Sequence, residues 1–293
     1  SKMLNSCRNN NREYLFGYGS LMNPESRAQT STDIFAQQKG LPVMIRNMER
    51  AWSARTVSFT ALGIRFRKGK ECTGILLEVS SQEDWKKLDA REGAYNRVQI
   101  RLNDVHKVSF LADEGYYSKE NGIEEHVGAI FGDVGATATN LEGEMQNDNS
   151  NFYESKKDSS ADKNSNKQLS IIKIWVYIPK KPCLPDPQHP IPQSYVDVIL
   201  RGCFTMHEEL FAISFLNTTA GWKDDKDYPC SSFLIDDRSI PIYSRADRNQ
   251  SVSISKYIDN LLLAQIPGAC QNRQKLSSIQ KLYKKRDFAH MTF

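Results

Sequence analysis

The chain has 293 residues, 39% of them hydrophobic, enough for one large domain or two small ones around a real core. Its 39 Lys and Arg stand against 35 Asp and Glu, and a formal net charge of +4 is too mild to make nucleic acid the expected partner of a chain this long. No apolar run approaches the roughly 18 to 20 residues that cross a bilayer, so no membrane association is expected. The opening Ser1–Cys7 and the polar Arg8–Asn11 lack the apolar centre of a secretory signal, and a cytoplasmic location is the expectation. Six cysteines without a CxxC pair and five histidines without ligand spacing predict reduced thiols and no bound metal.

Strand character dominates the first half. Tyr14–Phe16, Leu41–Ile45, Ala51–Thr60 and Cys72–Val79 are rich in β-branched and aromatic residues and predict a small sheet or barrel. Ser80 and Ser81 precede Gln82–Leu88, whose acids fall in the first turn and whose Trp85 and Leu88 lie three apart, predicting a short capped helix that ends near Gly93. Val98–Leu102 then alternates apolar and polar, as a half-buried strand does. Asn140–Lys167 is dense in Asn, Ser, Asp, Glu and Lys and reads as a disordered insertion, because it cannot bury enough surface to offset its ordering entropy. Ile171–Ile178 is a strand stopped by Pro179, followed by a proline-rich loop, Pro182–Pro192.

The rest reads as helical. Tyr195, Val198 and Ile199 predict one helix stopped by Gly202, and Thr205–Glu208 looks like a capping box opening a second through Phe211, Phe215 and Leu216. Ser251–Gln265 places Ile254, Ile258, Leu261 and Leu262 on one face of another helix. Gln271–Lys285 is basic and weakly patterned. The expected organisation is a core over 12–180 interrupted at about 136–168, a helical extension over 190–266 packed on the core, and a basic tail over 267–293.

Two motifs could carry chemistry. Phe16–Met22 (FGYGSLM) runs a strand into glycines at alternate positions, where exposed N–H groups can gather around an oxygen; a strand that merely turns on glycine is the commoner arrangement. The motif is neither GxSxG nor a P-loop. Leu88–Arg97 (LDAREGAYNR) offers an acid for proton transfer with Tyr95 and Arg97 as neighbours, although such acids are often exposed ion pairs. Arg50 and Arg97 could position a substrate carboxylate or pair with Glu49, Asp89 or Glu92. Trp52, Trp85, Trp175 and Trp222 read as core or pocket wall.

FGYGSLM with CTGILLEV at Cys72–Val79 and LDAREGAYNRV at Leu88–Val98 resembles the γ-glutamylcyclotransferase-like superfamily in order and spacing. The resemblance continues through Arg50-Ala51-Trp52, Leu62–Arg65, Trp175-Val176-Tyr177 and Tyr195-Val196-Asp197. It implies an α+β fold, a small mixed β-barrel with flanking helices and here a C-terminal helical extension. It further implies Glu92 as the catalytic acid and base, with Tyr18, Gly19, Ser20, Leu21 and Tyr95 binding substrate, and no cofactor. The implied partner is a small γ-glutamyl compound, such as a γ-glutamyl amine, dipeptide or glutathione, cyclised to 5-oxoproline with release of its amine. The alternative is a silent relative that keeps the pocket for ligand binding or interaction. Oligomeric state is not legible.

Overall fold

The computed structural model describes residues 12–108, 130, 171–222 and 233–275. Strand β1 (Arg12–Gly17) buries Tyr14, Leu15 and Phe16 in succession, the mark of a strand covered on both faces. It lies parallel to β6 (Ile172–Pro179) and antiparallel to β3 (Thr60–Glu78), with Gly17 opposite Ile75. β2 (Leu41–Arg55) pairs with β3 in a long antiparallel hairpin. The predicted pieces Leu41–Ile45 and Ala51–Thr60 thus belong largely to one strand, and β3 starts well ahead of Cys72. Polar residues from Arg65 to Glu71 break the alternation, which is why the sequence concealed that stretch. Register shifts at Arg46/Met48 and Trp52/Ala54 bend the hairpin, the first at Asn47, whose φ is 58° and whose Oδ1 accepts from the Gly69 N–H at 3.3 Å.

β4 (Tyr95–Ile100) pairs with β6 at one edge, β5 (Val105–His106) with β2 at the other, and β8 (Thr219–Ala220) runs beside β2. Strand order is β4-β6-β1-β3-β2-β5, a mixed sheet curled into a half-barrel. A second small sheet, β10-β9-β7, joins Gln274–Lys275, Leu234–Asp236 and Ile191–Pro192.

Helices α1 (Pro24–Ala28) and α2 (Asp33–Gln37) follow β1, and α3 (Gln82–Arg91) connects β3 to β4. Ser81 caps α3, its hydroxyl accepting from the Asp84 N–H at 3.0 Å. Trp85 anchors α3 on the sheet: its ring meets Trp175 edge-on at 6.4 Å and its Nε1 donates to Glu13 Oε2 at 2.8 Å. Truncating such a buried indole costs about 3–5 kcal/mol. This anchor carries the C-terminal end of α3 to the point where β1 leaves the sheet.

Helix α4 (Gln193–Asn217) is longer than predicted. Gly202 does not stop it; a Cβ there would lie 2.7 Å from the backbone of Met22 and Asn23, so the glycine permits close approach of α4 to the turn after β1. The break falls instead at Glu208, at φ 77° and ψ 170°, and the second half follows that residue rather than a cap at Thr205. α5 (Val252–Gln265) buries Ile258, Leu261 and Leu262. Part of the expected basic tail is packed: α6 (Pro267–Gln271) buries Ala269, and Arg273 donates to Asp259 Oδ1 at 2.7 Å. The remainder of the tail, 276–293, and the expected insertion at 136–168 lie outside the described residues. No helix among the described residues is long and apolar enough to cross a membrane.

Candidate active site

The chain leaves the sheet after Gly17 and turns through Ser20–Met22, a single turn of 3-10 helix closed by the Met22 N–H on the Gly19 carbonyl at 2.9 Å. Three contacts fix it. Tyr18 Oη donates to the Tyr177 carbonyl on β6 at 2.6 Å. Gly19 faces Tyr195 so closely that a Cβ would meet the phenol oxygen at 2.9 Å. Buried Arg27 donates to the carbonyls of Leu21 at 2.7 Å and Met22 at 3.3 Å, and to those of Ala36 and Gln38 at the C-terminal end of α2. Burial lowers the Arg27 pKa to about 10, still far above neutrality, so the guanidinium remains charged. With the far side of the turn held by a cation, the N–H groups of Ser20 and Leu21, which head the turn, have no carbonyl one turn behind them.

Glu92 arrives from the other direction. It caps the C-terminus of α3, its N–H donating to the Leu88 carbonyl at 2.9 Å, and its own carbonyl accepts from the Tyr95 N–H at 2.8 Å as the chain turns into β4. Its side chain is largely buried and contacts Arg91, Nε to Oε1 at 3.1 Å. Burial pushes the Glu92 pKa up, against the opposing pull of Arg91 and then of Arg245.

Arg91 joins the two motifs. Its guanidinium is buried and donates through Nη2 to Ser20 Oγ at 2.9 Å and Ser26 Oγ at 3.1 Å, and through Nη1 to the Ser26 carbonyl at 3.0 Å and Thr30 Oγ1 at 2.8 Å. Every donor nitrogen of the fork has an acceptor, which is the condition for keeping a buried guanidinium.

Tyr18, Gly19, Ser20, Leu21, Glu92 and Tyr95 line one recess of about 30 Å³, together with Phe16, Leu62, Tyr177 and Tyr195. Ser20, Glu92, Tyr95 and Tyr195 also line an outer cleft of about 600 Å³. All six residues singled out in the two motifs therefore meet in one place. The recess alone has room for about one water-sized group, so a ligand would fill it together with the adjoining cleft.

Two arginines have other duties. Arg50 is fully buried and faces no carboxylate among the described residues: it donates to Thr219 Oγ1 at 2.8 Å, the Phe215 carbonyl at 2.6 Å, Thr218 Oγ1 at 3.0 Å and the Thr73 carbonyl, and stacks on the Phe215 ring at 3.7 Å. It thus ties the end of α4 to the β2–β3 hairpin, where cations complement the helix dipole. Arg97 lies over Trp85 at 4.2 Å and contacts Asp89 at 3.5 Å, on the sheet face outside the recess. Trp52 and Trp222 pack edge-on at 4.9 Å in the core.

The sequence reading missed Arg91, Tyr195 and Arg245. Arg91 stood inside the acid motif, yet adjacent residues on a helix do not normally face each other; only its position at the helix end lets both side chains turn to one cavity. Tyr195 and Arg245 come from the C-terminal part of the chain and carry no local signal of proximity. Tyr195 is positioned by rings, meeting Trp52 at 6.0 Å, Phe59 at 5.8 Å and Tyr243 at 4.8 Å.

No protein-family model and no curated protein matches the chain. Solved structures similar to it include one described as gamma-glutamyl cyclotransferase, at 10% identity and a TM-score of 0.41, covering 85% of this chain and 99% of that one. Another is uncharacterized protein loc79017 from Homo sapiens, at 10% identity and a TM-score of 0.37, covering 67% of this chain and 81% of that one. YkqA from Bacillus subtilis is 14% identical with a TM-score of 0.37, over 69% of this chain and 52% of its own length.

Proposed function

We propose that the chain is a γ-glutamyl cyclotransferase, converting a γ-glutamyl compound into 5-oxoproline and a free amine, amino acid or peptide. The observation that carries this reading is the convergence of Glu92 and the turn at 18–21 on one recess, two segments joined by Arg91.

Nucleophile and electrophile belong to the same substrate, so proximity is largely built in. The α-amino nitrogen bonds to the γ-carbonyl carbon, the five-membered ring closes, and the bond from that carbon to the departing nitrogen breaks. Three tasks remain for the protein: deprotonate the ammonium, hold the developing oxyanion, and protonate the leaving nitrogen. Glu92 takes the first and third in turn, accepting the ammonium proton and returning it to the departing amine. A carboxyl pushed upward by burial suits both directions of transfer, since its basicity approaches the working pH. The N–H groups of Ser20 and Leu21 supply the second, as donors already oriented before the negative charge appears. Tyr95 and Tyr195 wall the recess, and the 3.3 Å hydrogen bond from Tyr95 Oη to the Leu62 carbonyl supports a part in shaping the substrate site rather than in proton transfer.

The test is incubation of the purified protein with a panel of γ-glutamyl amines, dipeptides and glutathione, read by mass spectrometry. Appearance of 5-oxoproline with equimolar amine is expected from at least one compound; tight binding without product from any of them would contradict the reading.

A further inference from the structure

The outer cleft has a marked charge asymmetry. Glu92 is the one acid among its described lining residues, against the cations Arg55, Arg91, Lys180, Lys181 and Arg245. Three of these already have partners: Arg91 with Glu92 at 3.1 Å, Arg55 with Asp186 at 2.7 Å, and Lys180 with the Gly93 carbonyl at 2.7 Å. Arg245 and Lys181 make no hydrogen bond or ion pair among the described residues. Arg245 is only partly exposed, on the loop between β9 and α5, two residues beyond Tyr243. Tyr243 packs edge-on against Tyr195 at 4.8 Å and Phe59 at 5.9 Å, so this loop is braced by rings on the wall of the cleft.

A guanidinium held partly out of water with no acceptor is poorly satisfied, and its planar fork matches a carboxylate. Cations on low-dielectric walls also concentrate anions within a cleft. At about 600 Å³ the space suits a ligand well beyond a small alkylamine. Glu92, the only acid among the described lining residues, sits at the inner end where the bond would break, within reach of the Arg245 charge; the other charged residues described around the cleft are cations.

We propose that the outer cleft is a leaving-group subsite selecting γ-glutamyl compounds whose departing amine carries a free carboxylate, with Arg245 as the specificity-determining residue and Lys181 as the second cation. The subsite takes its chemistry from the cyclotransferase reading, but its preference for an anion is a property of binding and can be tested separately.

γ-Glutamyl-alanine and γ-glutamyl-alaninamide differ at the terminal carboxylate alone, and 5-oxoproline release from each is compared for wild type, Arg245→Gln, Arg245→Lys and Lys181→Gln. The acid is expected to be favoured by about tenfold or more in kcat/KM. That preference should weaken with added salt, collapse in Arg245→Gln, shrink in Lys181→Gln and return partly in Arg245→Lys. Equal kcat/KM for the two compounds in wild type, or a preference that survives Arg245→Gln, overturns the subsite while leaving the reaction in place. Where neither compound releases 5-oxoproline, the subsite is read from binding instead. Calorimetric titration of both compounds into the wild-type protein then decides the subsite: tighter binding of the acid, lost in Arg245→Gln, supports it, and equal binding overturns it.

Discussion

Arg91 Nη2 donates to Ser20 Oγ at 2.9 Å, connecting the last residue of α3 to a turn 71 positions earlier in the chain. Through Nε the same guanidinium holds Glu92 at 3.1 Å, so the separation between the Glu92 carboxyl and the turn at 18–21 is set by one side chain. Arg91 is thus a positioning residue for both halves of the recess.

Replacing Arg91 by Gln has two separable consequences. Loss of alignment should reduce kcat/KM by about 10- to 100-fold. Loss of the cation removes an influence that lowers the Glu92 pKa, so the acid limb of the pH–rate profile should move to higher pH. A pH series on the variant reads both; a profile reduced in height but unmoved on the pH axis would count against the electrostatic role.

Gly19→Ala would bring a Cβ to 2.9 Å from the Tyr195 oxygen, and Tyr195 is braced by three other rings. The crowding should cost about 1–3 kcal/mol of stability and displace the turn. Tyr195→Phe removes the clashing atom, so the double variant should recover part of the loss. A double-mutant cycle by urea denaturation measures this coupling, and strict additivity would show that the two residues do not meet.

The stability of Glu92→Gln should depend on pH with a definite sign. The folded-state pKa of Glu92 is raised, so the folded protein binds that proton more tightly than the unfolded chain. The resulting stabilisation is fully present below the ordinary carboxylate pKa and is lost as pH rises through the raised value. Glutamine has no proton to lose there. The variant should therefore melt at a higher temperature than wild type at pH 8, with the difference shrinking near pH 4. Calorimetric melts across that range check it.

Arg50 provides a structural contrast. Arg50→Met removes a buried donor from the Thr73 and Phe215 carbonyls and from Thr219 Oγ1, although Phe215 keeps its bond from the Thr219 hydroxyl, at a cost of about 2–5 kcal/mol. Denaturation should register this loss, while KM of the folded fraction stays near that of wild type, because Arg50 does not line the recess.

Local chemistry made much of the fold legible. Trp85 and Leu88 spaced on a helix behind Ser81, the apolar Tyr14–Phe16, and Ile171–Ile178 before Pro179 each declare their element within a few residues. The middle of β3 did not, since Arg65–Glu71 is polar on a solvated extension of the hairpin and resembles a loop in isolation. Gly202 misled because a glycine that ends a helix and one that admits a neighbouring backbone look alike in sequence; Met22 and Asn23, which explain it, lie far away. The six motif residues that line the recess could be named together because each motif is contiguous. Tyr195 and Arg245 were not, because their place at the cavity depends on how α4 and the loop after β9 pack, a tertiary outcome with no local trace.

The most direct test is the rate of 5-oxoproline formation by Glu92→Gln against wild type under saturating substrate, with folding and ligand binding of the variant verified in parallel. Loss of about 10²- to 10⁴-fold in kcat with binding retained is the predicted result. Turnover undiminished by the substitution would contradict the assignment of proton transfer to Glu92 and, with it, the mechanism built on that carboxylate.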